Sequence, residues 1–145
     1  MVRAVVAGAL LGGAVAVAAP RLKDPPTPPF PDGRWAVERY EVNGQVRDAR
    51  AMAGYVIIHT RTTATLELNG AEVGTEQVTW AEARAGAGQM DFTSDRWAGV
   101  KRGIWKLDGD TLTECESAPG GDRPTEYTAP AGSGRTLWVL KRIKD

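Results

Sequence analysis

Val100-Lys101-Arg102-Gly103-Ile104-Trp105-Lys106-Leu107, then Asp108-Gly109, then Thr111-Leu112-Thr113-Glu114-Cys115-Glu116-Ser117, reads as strand, turn and strand. Asp-Gly between two β-rich runs is among the strongest local signals for a hairpin, because a type I′ turn needs positive φ at both central residues. An ideal two-residue register places Trp105 opposite Leu112 and Gly103 opposite Glu114.

The same punctuation continues outward along the chain. Asn43-Gly44 and Asn69-Gly70 mark two further tight hairpins, and Pro119-Gly120-Gly121 and Gly132-Ser133-Gly134 mark two more turns. Between them lie β-rich runs at 35–42, 55–60, 63–68, 73–80, 89–93, 126–129 and 136–143. Ala64, Leu66 and Leu68 alternate with Thr63, Thr65 and Glu67, the period of a half-buried strand. In the first run Trp35 and Val37 share one face, and Tyr40 and Val42 the other. A bulge near Glu38 or Arg39 would reconcile them. The one helical candidate is a short stretch from Val46 to Ala53. Eight or nine short strands in sequential hairpins predict an all-β chain, a single antiparallel up-and-down barrel that leaves no open edges.

Composition narrows the function classes. The 145 residues form one domain, with 18 Lys and Arg against 18 Asp and Glu. Balanced, interspersed charge gives no basic stripe, so no nucleic-acid partner is expected. The single cysteine, Cys115, cannot form an internal disulfide and reads as a small buried strand residue. One His, His59, and one Cys do not make a zinc site, so no metal or cofactor is expected. Ser94, Ser117 and Ser133 sit in no nucleophile-elbow pattern, and no catalytic residue is assigned. His59 reads as the end of a strand at the barrel rim.

The N-terminus carries a targeting pattern. Arg3 is followed by an uncharged, Ala- and Gly-rich run to Ala19, with Ala16-Val17-Ala18 as a small-x-small cleavage site. Residues 1–18 are expected to be a signal peptide rather than an anchor, since a spanning helix needs about 20 more strongly apolar residues. The mature chain then has no membrane span and is exported to the periplasm or beyond. Residues 19–32, dense in proline, form an extended linker, and the domain runs from 33 to 145.

A series of short motifs adds a resemblance. Gly103-Ile104-Trp105-Lys106-Leu107-Asp108-Gly109-Asp110-Thr111-Leu112 is followed by Cys115, Pro119-Gly120, Arg123-Pro124-Thr125-Glu126-Tyr127, Gly132-Ser133-Gly134 and Leu137-Trp138-Val139-Leu140-Lys141-Arg142. In this order the motifs resemble the lipocalin-like domain family found in many paralogous copies in planctomycetes. The likeness covers Gly33 to Arg142. It implies a lipocalin-like β-barrel and carries no established activity with it. Gly33-Arg34-Trp35 also matches the Gly-x-Trp of the first lipocalin strand. The resemblance then implies that Gly33 and Trp35 close one end of the barrel, with Lys141 or Arg142 packed over the Trp. Glu114 and Glu116 depart from the family pattern, which has apolar residues there.

Those two carboxylates leave two readings open. If Trp105 and Leu112 face inward, Glu114 and Glu116 do too. If Thr113 and Cys115 face the core, both Glu lie in solvent, which avoids the cost of buried unpaired charge. On the first reading, a modest cavity at the open end is lined by Trp105, Leu112 and Glu114. Arg102 and Arg123 are then the nearest cations to answer Glu114. The functional expectation is a small apolar ligand held in the barrel. The alternative is a filled barrel that acts as a protein–protein interaction module of the cell envelope, and an enzyme ranks last.

Exported protein should begin near Ala19. N-terminal sequencing of the secreted form checks this, and a chain starting at Met1 in a membrane fraction would contradict it.

Overall fold

The structure, a computed structural model, describes residues 30–145. The expected signal peptide, 1–18, and all but the last three residues of the expected linker, 19–32, lie outside the described residues. Nine strands follow one another: β1 (Gly33–Val42), β2 (Gln45–Arg47), β3 (Tyr55–His59), β4 (Thr63–Leu68), β5 (Ala71–Arg84), β6 (Ala87–Thr93), β7 (Lys101–Asp108), β8 (Thr111–Glu116) and β9 (Thr136–Arg142). From β3 to β9 each strand pairs antiparallel with the next, β1 pairs with β3, and β9 returns to β1. The result is a closed up-and-down barrel of eight strands, with β2 as an extra ribbon on β1, consistent with a lipocalin-like barrel.

Turn chemistry explains three of the tight connections. Asn43-Gly44 and Asn69-Gly70 have positive φ at both positions, as type I′ requires. At the β7–β8 hairpin the loop is Gly109-Asp110 rather than Asp108-Gly109, with Asp108 paired to Thr111. Only Gly109 is left-handed there, at φ 57°, which suits a turn with glycine at its first central position. The register therefore moves by two residues from the ideal expectation: Trp105 faces Glu114, and Gly103 faces Glu116. A shift of two keeps every side chain on its expected face.

Three other expectations need correction. Val46 to Ala53 forms no helix. The Asn43-Gly44 turn sends the chain back along β1 as β2, and a tight turn stabilised by Asp48 then drops Met52 into the core. Residues 126–129 form no strand; they belong to a long excursion between β8 and β9. The expected strand at 73–80 is the middle of the longer β5, which bends at Glu82 and turns through Ala85-Gly86.

The bulge falls within its expected range. Pairing of β1 with β9 slips between Val37 and Arg39, so Glu38 is the extra residue. Trp35 and Val37 can then point inward together with Tyr40, which packs on the same core.

Aromatic residues close one end. Trp35 has no solvent exposure, and its Nε1 donates to the Pro31 carbonyl at 3.2 Å. The Arg142 guanidinium lies 4.2 Å from the Trp35 ring centroid and donates to the Asp32 carbonyl. Gly33, with φ 104°, allows the tight entry beneath it: a side chain there would crowd Arg142. Lys141 is exposed on the outer face, so Arg142 is the basic residue over the Trp. Phe30 stacks on Trp80 at 5.5 Å and Pro31 is buried. The packed domain thus includes Phe30 to Asp32, which the sequence assigns to the linker.

Trp35→Ala should destabilise the barrel by about 3–5 kcal/mol, as deletion of a large core aromatic does. Arg142→Met should cost less, about 0.5–2 kcal/mol, for the lost cation–π contact. Urea unfolding measures both. Equal, negligible losses would contradict this closure.

Candidate functional site

The two halves of the interior differ. Around Trp35, Trp80, Trp105, Leu112 and Leu140 it is filled. Toward the other end it opens into a cavity of about 120 Å³. Ile57, Ala64, Leu66, Phe92 and Trp138 give this cavity apolar walls. His59, Glu114, Glu116, Glu76 and Lys101 give it polar groups. Val73 and Arg96 line it from positions that remain exposed.

Of the three expected lining residues, Glu114 alone reaches the cavity. Trp105 and Leu112 are buried in the filled half, where Trp105 meets Trp80 edge-on at 6.4 Å. The cheaper reading, with both Glu in solvent, is overturned: Glu114 is 1 % exposed and Glu116 is 6 %. Cys115 is buried as well, because β8 is covered on both faces. Its outer face carries a second cluster of Cys115, Ala129 and Leu137, packed by Tyr127 of the long excursion. The Cys115 Sγ donates to the Thr128 carbonyl. A choice between the faces assumed one wet side, which the excursion removes.

The partners of the two carboxylates also differ from the expected ones. Arg123 ties the excursion down instead, donating to the Met90 and Gly103 carbonyls and pairing with Asp91 at 2.7 Å. Arg102 donates to the Gly121 carbonyl. Glu114 is answered by His59, with Nε2 and Oε1 2.8 Å apart and both side chains 1 % exposed. His59 ends β3, as expected, but points into the barrel and meets Trp80 edge-on at 5.1 Å. No spacing in the sequence links position 59 to position 114. Only barrel closure does.

The His59–Glu114 contact is close but lacks the direction of a hydrogen bond. His59 Nδ1, His59 Nε2 and Glu114 Oε1 are all buried without a directed partner. Unfilled hydrogen-bonding capacity remains, and it lines an open space.

Glu116 belongs to a second polar group. Lys101 lies 3.0 Å from Glu76 and 3.1 Å from Glu116, and its ammonium also sits over the Trp97 ring at 4.5 Å. Burial pulls the Lys101 ammonium down, but Glu116 and Glu76 outweigh it and hold it above its usual value. One cation cannot fully serve two carboxylates. Burial raises the Glu116 carboxyl, Lys101 pulls it back, and Glu76 and Glu114 push it up again, to about 7.

Between about pH 4.5 and 7 the folded chain keeps a proton on Glu116 that the unfolded chain has released. This contribution is full below the unfolded value and is lost as pH rises through the folded one. It is on the order of 3 kcal/mol. Glu116→Gln should flatten the fall in stability between about pH 5 and 7, measured by urea unfolding. Identical slopes in variant and parent would contradict it.

No protein-family model, curated protein or solved structure matches the chain, so the functional reading rests on the pocket's own geometry.

Proposed function

We propose that the chain is an exported lipocalin-like barrel that holds one small, mostly apolar molecule in its open half. The observation that carries this is the buried His59–Glu114 pair, with three polar atoms lacking a directed partner, in the wall of an otherwise apolar cavity. Buried polar groups are normally satisfied, and a ligand group is one way to satisfy these. A few polar groups in an apolar pocket are also the usual means of fixing a ligand's orientation.

Volume sets the ligand's size. An apolar cavity of about 150 Å³ accepts benzene. Pockets for drug-sized molecules run to about 300 Å³ and above. At about 120 Å³ this cavity suits a single ring or a short branched chain, not a long lipid. The hollow half favours binding over the alternative, an envelope interaction module with a filled barrel. The signal-like segment to Ala18 and the ordered motifs from Gly33 to Arg142 support export and the lipocalin-like kinship.

Phenol and toluene test the reading, because they differ in one hydroxyl. By calorimetry or ligand-observed NMR, phenol should bind more tightly. Ile57→Trp, which places a large ring in the cavity, should abolish both. The double variant His59→Leu/Glu114→Leu removes the polar pair without stranding either partner, and should erase the preference for phenol. Failure of both probes to bind the parent would overturn the proposal.

A further inference from the structure

The cavity has a second polar feature, at its mouth. Arg96 lies on the loop between β6 and β7 and lines the cavity. Among the described residues its guanidinium has no hydrogen bond or ion pair. The other cation of the cavity, Lys101, is fully engaged by two carboxylates.

The position of Arg96 depends on a glycine. Gly74 precedes Glu76 and Val78 on the inward face of β5, beside a register slip at Leu66/Glu67. A methyl group at Gly74 would overlap the Arg96 guanidinium. The missing side chain is what lets the cation lie across the cavity wall.

Strand register gives the offset between the two polar features along β4. His59 pairs with Ala64, and Gly74 pairs with Leu66 two residues further along β4. Two residues of strand rise by roughly 7 Å. Ile57, Leu66, Phe92 and Trp138 supply apolar wall to the same cavity. An offset of that size along the strand leaves room for one substituted ring.

Resting on the binding reading above, we infer that the ligand is a small carboxylic acid with a ring-sized apolar body, its carboxylate held by Arg96 at the mouth and its far end against His59 and Glu114. An unengaged guanidinium is the side chain best shaped for a carboxylate, which it can grip with two parallel N–H donors. The Glu76–Lys101–Glu116 group does not oppose this strongly. Its one ammonium offsets one of two carboxylates, and Glu116, pushed up to about 7, is partly protonated near neutral pH.

Benzoate, benzamide and benzylamine share one ring and differ in charge. Titrated into the folded full chain by calorimetry, benzoate should bind roughly tenfold to a hundredfold more tightly than benzamide, the range for a charged hydrogen-bonded contact. Arg96→Met, on an exposed loop, should reduce benzoate to the level of benzamide and leave benzamide unchanged. Gly74→Ala should do the same by displacing the guanidinium, while Arg34→Gln on the outer face should change nothing. Equal binding of benzoate and benzamide, tighter binding of benzylamine, or a benzoate preference that survives in Arg96→Met would each overturn the assignment, yet leave the cavity as a ligand site. If benzamide too fails to bind, the underlying binding reading falls with it.

Discussion

Everything in this molecule depends on β1 serving two neighbours in the barrel wall, β3 and β9, at once. Its first residues, Gly33 to Ala36, pair with β3, and Trp35 to Val42 pair with β9. A straight strand of this sequence would put Trp35 and Val37 on one face and Tyr40 and Val42 on the other. The extra residue at Glu38 resolves the conflict by bending the strand, so that the barrel can close with Trp35, Val37 and Tyr40 all packed on the core. The Trp35–Arg142 contact then locks the first strand to the last. Closure also creates the candidate site, since His59 and Glu114 come from strands far apart in the chain and meet only across the closed interior.

The second constraint is the excursion between β8 and β9. By covering the outer face of β8, it converts an ordinary amphipathic strand into one buried on both sides. Arg123 pins this cover to β6 and β7. Glu114 and Glu116, on the inward face, must find partners inside. His59 and Lys101 are those partners, and each pairing is incomplete. One lacks hydrogen-bond alignment, and in the other two carboxylates share a single ammonium. A cavity walled by incompletely satisfied groups is a poor use of core volume unless something occupies it.

Much of the architecture was legible in the sequence, for local reasons. Asn43-Gly44 and Asn69-Gly70 announce their turns because left-handed backbone favours those residues, and the face conflict across Glu38 announces the bulge. Ala85-Gly86 turns the chain with a left-handed Ala85 at φ 48°, which no propensity rule would select. Met52 looked helical with its neighbours because the short β2 ribbon takes its stability from β1 rather than from its own residues. The site was only partly legible. Glu114 stood out as a carboxylate two residues from another in a β-rich run, but hairpin parity alone left both the inward and the solvent-facing reading open. Its partner could not be found by spacing, because barrel closure is a non-local event. Arg96 was missed altogether: a loop arginine gives no signal until Gly74 is seen to make room for it.

A small molecule in the open half of the barrel would travel with the folded protein, so native mass spectrometry of the chain purified from its own source can detect it. A fraction should carry an added mass of single-ring size, released on unfolding and absent from an Ile57→Trp variant purified in parallel. Bare protein at every charge state, identical in parent and variant, would contradict binding there.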